Sequence, residues 1–596
     1  MNTAIKPMYE WKNINWRKAE RCVFKLQKRI YKASQRGDVK LVHKLQRLLQ
    51  NSWYAKLLAV RRVTQDNQGK KTAGIDGVKS LNPKQRMALA NQLKLGYKSK
   101  PTRRVWIPKI GTDEKRPLGI PTLYERALQA LVKLALEPEW EAKFEPNSYG
   151  FRPARSVHDA IGAIYISINR KPKYVLDADI SKCFDKINHK KLLEKLQTYP
   201  KLRRQIKAWL KSGVIEDKEI FPTQKGTPQG GVISPLLANI ALHGMESRVK
   251  QYAETLKGDK RANRNSLSLI RYADDFVILH ESLEVIQNCK EIVEKWLAEL
   301  DLELKPSKTR ISHTLNVHQG NCGFDFLGFT IRQYPKGKNH SGKNTKGKRL
   351  GFKTLITPSK EKVKAHNQKT KEVLAKHKSS PQIALIKELN PIIRGWCNYY
   401  STVVSKETFG YCDHITCLQI RAWTIRRHPN KTKQWIVNKY WHSEGKRNWV
   451  FSTREGKNAY RLMLHSDTKI VRHTKIQSER SPYDGDLIYW SSRMGSHPEM
   501  PAEKSYLLKK QKGRCAYCRL HFRDGDLLET DHITPTAMGG KNSRDNKQLL
   551  HRHCHDSKTA LDMTGTNDKS HVVEERSEVK VSRSVLKTSV NGDIHA

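Results

Sequence analysis

Apolar positions recur at helical spacing over residues 12–63. Trp16, Cys22, Phe24, Leu26 and Ile30 come first, then Leu41, Leu45, Leu48 and Leu49, with Lys and Arg filling many of the intervening places. The spacing predicts a pair of basic amphipathic helices. Residues 103–109 read as a strand, and a turn through Gly111 leads to a second arm at 116–121. A helix is predicted over 127–140, ending near Pro138. Ser156 is the expected N-cap of the next helix, with Asp159 three residues on in a capping-box arrangement. Short β-rich runs occupy 174–179, 267–270 and 276–279. Gln229 and Gly230 follow a Thr-Pro turn and are expected to begin a helix through Ile240. An amphipathic helix is predicted over 284–299 and a β-hairpin element over 324–329. The Lys/Gly/Asn-rich segment 335–349 lacks apolar periodicity and reads as a flexible linker. Helical patterns return over 360–387, whereas 443–500 is basic and poorly periodic.

Two of the strands carry acids where the chain turns. Asp274 and Asp275 are adjacent at the reversal between 267–270 and 276–279, and Asp179 closes the strand 174–179. Carboxylates this close repel one another, and partial burial costs several kcal/mol unless a cation or donors offset it. A divalent metal is the usual solution. Three carboxylates at neighbouring strand ends are what two-metal phosphoryl transfer requires, with ions about 3.5–4 Å apart. The hairpin around Gly111 carries Lys109 and Arg116 on its arms, either as cations that can sit over a triphosphate or as two of many surface cations.

At the C-terminal end, Cys515-x2-Cys518 and His551-x2-Cys554 form a Cys3His set of the tetrahedral kind typical of structural Zn²⁺. Between and beside them stand Asp531-His532, Asn546 and His555.

These motifs resemble a known family. Tyr272-Ala273-Asp274-Asp275 is similar to the active-site box of reverse transcriptases, and Asp179 with Phe184 to their first palm motif. The run from Gly226 through Gln229 and Gly230 to Ile240 resembles the box between them. Residues 389–400 and 421–431 resemble the maturase thumb, and the C-terminal set resembles an HNH nuclease. Over roughly 10–565 the chain resembles a bacterial group II intron-encoded protein.

The resemblance implies an α+β fold: a right-hand polymerase of fingers and palm, a helical thumb (maturase domain X) and a small zinc-bound HNH ββα-metal domain. It divides the chain into a basic N-terminal extension (1–54), fingers and palm (55–334), thumb (350–442), a DNA-binding connector (443–500), the HNH module (501–565) and a disordered tail (566–596). Asp179, Asp274 and Asp275 would hold Mg²⁺ and carry polymerisation. Lys109, Arg116, Phe184, Gln229 and Lys308 would meet the nucleotide. Phe184 would select against a 2′-hydroxyl or serve as an ordinary core residue, and Lys308 would be the palm lysine or a surface one. Tyr149, Phe151 and Arg152 would touch template or pack the fingers. In the HNH module His532 would be the general base, Asp531 and His555 would hold one Mg²⁺ or similar ion, and Asn546 would orient His532.

Composition supports a polyanionic partner. Lys and Arg number 112 against 58 acids, a formal charge of +54 spread over the whole chain. That spread disfavours a membrane-surface role, and no run of eighteen apolar residues predicts a membrane span. With 596 residues there is room for three or four domains. Ten cysteines, seven of them scattered, suit a reducing cytoplasm with one metal knot. The N-terminus lacks the apolar core of a signal peptide. The expected partners are group II intron RNA, target DNA and dNTPs, with no membrane; a homodimer stays open. The expected place is the cytoplasm, in association with the nucleoid during action on DNA. The combined reading is RNA-directed DNA polymerase, splicing maturase and HNH endonuclease. Its first rival is a splicing-only RNA-binding maturase with an inactive polymerase. The second is a reverse transcriptase taken over by its host or aimed at another target.

Overall fold

The computed structural model describes residues 10–67, 72–108, 115–217, 219–337, 341–344, 346–456, 458–477 and 479–563. Lys109, Gly111 and the segment 566–596 lie outside them. The chain divides into two compact units, Met1–Asp486 with Ser496–Met500, and Leu487–Gly495 with Pro501–Ala596. Among the described residues, no helix is long and apolar enough to cross a membrane.

The first unit is built around the helix Leu123–Glu141, which is buried on nearly all sides. It runs through Pro138 instead of ending there. Proline within a helix strands the carbonyl four residues earlier. Here that carbonyl, on Leu134, accepts a hydrogen bond from Gln27 Nε2 at 3.0 Å. Gln46 Nε2 likewise reaches Ala135 O and the Glu139 carboxylate, at 3.3 and 2.6 Å. Both glutamines come from the N-terminal helices Trp16–Gln35 and Val39–Asn51 and are buried. The buried face of Trp16–Gln35 is therefore Ala19, Val23, Gln27 and Ile30, while Phe24 and Leu26 sit at its margin and Leu48 of the next helix is exposed. Apolar spacing could not find that face, because it contains a polar residue that repairs a neighbouring helix.

Two four-stranded sheets follow. One orders its strands Lys115–Ile120, Thr102–Pro108, Val214–Glu216 and Glu219–Phe221. The other orders them Ser268–Tyr272, Asp275–His280, Tyr174–Asp179 and Arg310–His313. The expected capping box forms, with Asp159 Oδ2 accepting from Ser156 N at 2.9 Å. The helix expected from Gln229 starts only at Ser234, with Pro235 in its first turn, and Gln229 and Gly230 form a turn. The strands on either side of the expected linker, Phe329–Pro335 and Phe352–Pro358, pair antiparallel with each other.

Three helices, Lys360–Lys376, Gln382–Tyr400 and Lys406–Arg427, pack next. Beyond them the poorly periodic region begins with a three-stranded antiparallel sheet over Trp441–Glu444, Arg447–Glu455 and Asn458–Arg461. Its alternation is hidden by a register shift at His442/Glu444 and by two successive buried residues, Phe451 and Ser452.

Where this sheet's chain meets the helices, His366 Nε2 and His465 Nε2 share a hydrogen bond at 2.8 Å, and His465 Nδ1 lies 2.8 Å from Asp413 Oδ1. His366 also stacks on Trp396, at 4.5 Å between ring centroids. Burial, and then His465, push the His366 pKa down to about 3. Because the folded value lies below the unfolded one, the unfolded state binds a proton that the folded state refuses. This stabilisation is complete above about pH 6.5 and is lost on acidification, by about 1.4 kcal/mol per pH unit. Lowering the pH from 6.5 to 5 should therefore cost Lys360–Lys376 about 2 kcal/mol of protection against amide exchange. His366→Gln should flatten that dependence; an unchanged slope would place the sensitivity elsewhere.

Candidate active site and metal centre

The sheet register brings the predicted acids together. Asp179 stands directly opposite Asp275 across the antiparallel pair Tyr174–Asp179/Asp275–His280, and Asp274 occupies the turn beside them. The Asp274 carbonyl accepts from Ile180 N at 3.2 Å, which ties the turn to the neighbouring strand. Burial raises the Asp274 pKa, and Asp179 adds to the rise; Lys308 and Arg116 offset part of it. Asp275 is pushed up to about 6, again by burial first and then by Asp179 and Asp274. Lys308 Nζ lies 2.7 Å from Asp179 Oδ2.

A further acid escaped the sequence reading. Asp177 lies two residues before Asp179, on the same strand face by the strand's period of two. Burial pushes its pKa up to about 7, offset first by Arg310, whose Nε is 3.9 Å away.

The turn that holds the acids is supported from behind. Ala273 has φ +59°. Arg271, almost completely buried, donates to Ala273 O at 3.0 Å, Asn239 Oδ1 at 3.1 Å and Ser148 Oγ at 2.8 Å. Asn239 in turn donates to Gly150 O at 2.8 Å. A Cβ at Gly150 would stand 2.4 Å from Ala273 N, so only glycine lets this segment close on the turn. The signal for Arg271 was a lone cation inside the apolar run Leu269-Ile270-Arg271.

The other predicted residues of this unit divide into buried and exposed ones. Tyr149 and Arg152 are buried, Arg152 in a bidentate pair with Glu141 at 2.9 Å, so these two pack the structure. Phe151 is exposed and meets half-buried Phe184 edge-on at 5.9 Å. Gln229 Nε2 donates to both oxygens of Asp185, at 3.1 and 3.2 Å, and Gln229 O accepts from Gly119 N at 2.6 Å. Gln129 Oε1, from the central helix, holds Val232 N at 2.8 Å. Arg116 is exposed on the strand Lys115–Ile120.

In the second unit, Cys515, Cys518, His551 and Cys554 are buried, and their ligand atoms lie within 4.8 Å of one another. Asp526 Oδ2 stands 3.3 Å from His551 Nε2, the carboxylate partner that orients many ligating histidines. This set can hold a metal ion. Nearby, Asp531 and His555 approach at 3.8 Å, and Asp531 also meets Gln548 and Lys558 at 2.8 and 3.2 Å. Asn546 does not reach the His532 ring. Its amide bonds Thr534 and Lys541 and so pins the loop that follows His532, while Asn542 Oδ1 lies 3.3 Å from His532 Nε2. The tight loop through Gly540 turns Asn546 inward, a geometry that residue spacing does not reveal.

Four families match the chain in order. "N-terminal domain of reverse transcriptase" matches residues 11–93, and "Reverse transcriptase (RNA-dependent DNA polymerase)" matches 107–331. "Group II intron, maturase-specific domain" matches 363–441, and "HNH endonuclease" matches 515–561. Protein YkfC of Escherichia coli K12 is 33% identical over 332 residues, covering 48% of this chain and 83% of that protein. The group II intron-encoded protein LtrA of Lactococcus lactis subsp. cremoris is 28% identical over 477 residues, covering 68% of this chain and 78% of LtrA. This chain belongs to the group II intron-encoded reverse transcriptase–maturase family. It joins an RNA-directed DNA polymerase, a maturase domain and an HNH endonuclease in one polypeptide. Intron RNA and DNA are the partners such a protein binds.

The buttress of this polymerase's acidic turn is open to test. Gly150→Ala should force the turn away from the strand carrying Asp179, with an overpacking cost of about 1–3 kcal/mol. Primer extension should fall sharply while metal bound by the Cys3His set stays at wild-type content. Normal extension would show that the turn tolerates the added methyl group.

Proposed function

We propose that this intron-encoded protein cuts one strand of a DNA target with its HNH module and extends the freed 3′-hydroxyl, copying intron RNA into cDNA. The observation that carries this reading is the opposition of Asp179 and Asp275, with Asp274 in the adjoining turn. Three carboxylates at one sheet end are a hard-oxygen donor set suited to Mg²⁺, and the buried Cys3His set suits Zn²⁺. When bound at the acids, two such ions supply a lowered pKa for the primer hydroxyl and neutralise charge on the triphosphate.

The chain's own residues do the rest. Asp179, Asp274 and Asp275 fix where that charge is held. The primer 3′-oxygen forms a bond to the α-phosphorus and pyrophosphate leaves. Lys308 and Arg116 face the developing negative charge, and Lys109 is assigned to the same role from its motif. Phe184, steadied by Phe151, forms a wall beneath the incoming sugar that disfavours a 2′-hydroxyl. Gln229, held by Asp185 and Gly119, lines the nucleotide's other side. In the HNH module His532 accepts the proton of the attacking water, Asp531 and His555 would hold an ion that offsets charge on the phosphate, and Asn546 acts through the loop it pins. Residues 55–334 are assigned to fingers and palm, 350–442 to the thumb and 443–500 to DNA contacts. The site of action on DNA is the nucleoid.

Two substitutions separate the activities. Asp274→Ala should yield no cDNA in primer extension on a long RNA template, with RNA affinity within a few-fold of wild type. A large affinity loss would make this acid structural, and a wild type without cDNA would favour a splicing-only protein. His532→Ala should abolish DNA cleavage while zinc content persists; undiminished cleavage would refute the assigned base.

A further inference from the structure

A cavity of about 370 Å³ opens beside the helix His189–Leu196. Five cations line it, Lys190, Arg203, Lys207, Lys211 and Lys225, and no carboxylate does. Lys225 is paired with Asp301 at 2.8 Å, and Arg203 donates to Leu193 O at 3.1 Å. Lys190, Lys207 and Lys211 have no partner among the described residues. Unneutralised cations converging in a hollow repel one another, and a concave wall focuses their field on whatever anion enters.

The lining also says what kind of anion fits. Leu193 is its one aliphatic residue, and it has no Phe, Tyr or Trp. Nothing there offers a base a stacking platform. Gln224 adds a neutral donor. Buried His189 lines the wall as well, and its Nδ1 has no hydrogen-bond partner. Its Nε2–H donates to Gly226 O at 2.7 Å. Gly226 N bonds Ile187 O at 2.8 Å and Thr227 N bonds Phe184 O at 2.6 Å, so the cavity wall and the loop carrying Gln229 are one piece of backbone. A Cβ at Gly226 would strike the Asp185 and Phe184 backbone at 2.6 Å, which keeps that piece tight.

We propose that this cavity is a phosphate site that grips the backbone of a bound nucleic-acid strand without regard to base sequence. The proposal rests on the nucleic-acid-binding reading above and adds to it a fixed anchor beside the polymerase loop. The shared ligand chemistry is a phosphodiester, from RNA or from DNA.

The test is the salt dependence of binding by the full chain, measured with a 20-nucleotide single-stranded RNA and with a duplex DNA of 20 base pairs. Lys207→Gln/Lys211→Gln should lower the log–log salt slope by about 1 and weaken binding several-fold, with the KM for dNTP unchanged. Lys207→Arg/Lys211→Arg, which keeps the charges, should retain the wild-type slope and so exclude misfolding as the cause. Lys257→Gln/Lys260→Gln, at two exposed lysines elsewhere, should leave it unchanged. A change confined to the RNA assigns the site to the RNA strand, and one confined to the duplex assigns it to target DNA. Unchanged slopes on both, with a steeply salt-dependent wild type, would overturn the site and leave the family reading intact. An equal fall in the Lys257/Lys260 control would reduce the effect to net charge and overturn it too. A wild type that binds neither probe would overturn both the site and the reading beneath it.

Discussion

Three carboxylates held at one end of a sheet are in an electrostatically unfavourable place. Burial raises the pKa of Asp274 and Asp275, Asp179 adds to both, and Asp274 adds to Asp275. Free to move, such groups would splay into solvent. They cannot, because their positions are set by backbone. Cross-strand register fixes Asp179 against Asp275, and the turn fixes Asp274. Much of the surrounding structure makes that backbone rigid: the buried Arg271 clamp, the close approach of Gly150, and Asn239 bridging the two. The repulsion is then available to be relieved by cations, which is what a charge-stabilising phosphoryl-transfer site needs.

The same logic extends outward to the central helix Leu123–Glu141. Its burial would be prohibitive if its polar groups were left unsatisfied. Gln27 and Gln46 reach its carbonyls, Gln129 reaches the loop leading to Ser234, and Glu125 accepts from Trp209 at 2.6 Å. The N-terminal helices are therefore bound to the catalytic body by directional bonds as well as by apolar packing. A loose basic arm would have no need of buried glutamines.

The C-terminal unit solves a different problem. Its apolar core is small, made chiefly of Leu507, Leu508, Phe522, Leu549 and Leu550 around the cysteines. A core of that size would gain much of its order from cross-linking through a metal held by the Cys3His set. Cys515, Cys518, His551 and Cys554 join the turn before the hairpin, the hairpin itself and the helix Arg552–Met563. That helix then carries His555 and Lys558 to Asp531, so the Cys3His set and the Asp531–His555 pair share one framework.

The local motifs were legible in the sequence because their chemistry depends on neighbours in the chain. A strand–turn–strand with two acids at the turn, a Cys-x2-Cys with its His-x2-Cys mate, and the capping box at Ser156 each occupy a few residues and survive any packing. The order of the matched families was legible for the same reason. What only the tertiary structure decided depends on residues far apart in the chain. Arg271 meets Ser148 and Asn239, Gln27 satisfies the carbonyl that Pro138 strands within its helix, Asp526 orients His551, and Asn542 rather than Asn546 meets His532. Hydrophobic periodicity reports whether a position is apolar, whereas these positions are polar and buried, and their reason for being buried lies on another element. The sheet over 441–461 stayed hidden for a related reason, since a register shift and a buried serine erase the alternation by which a strand is recognised.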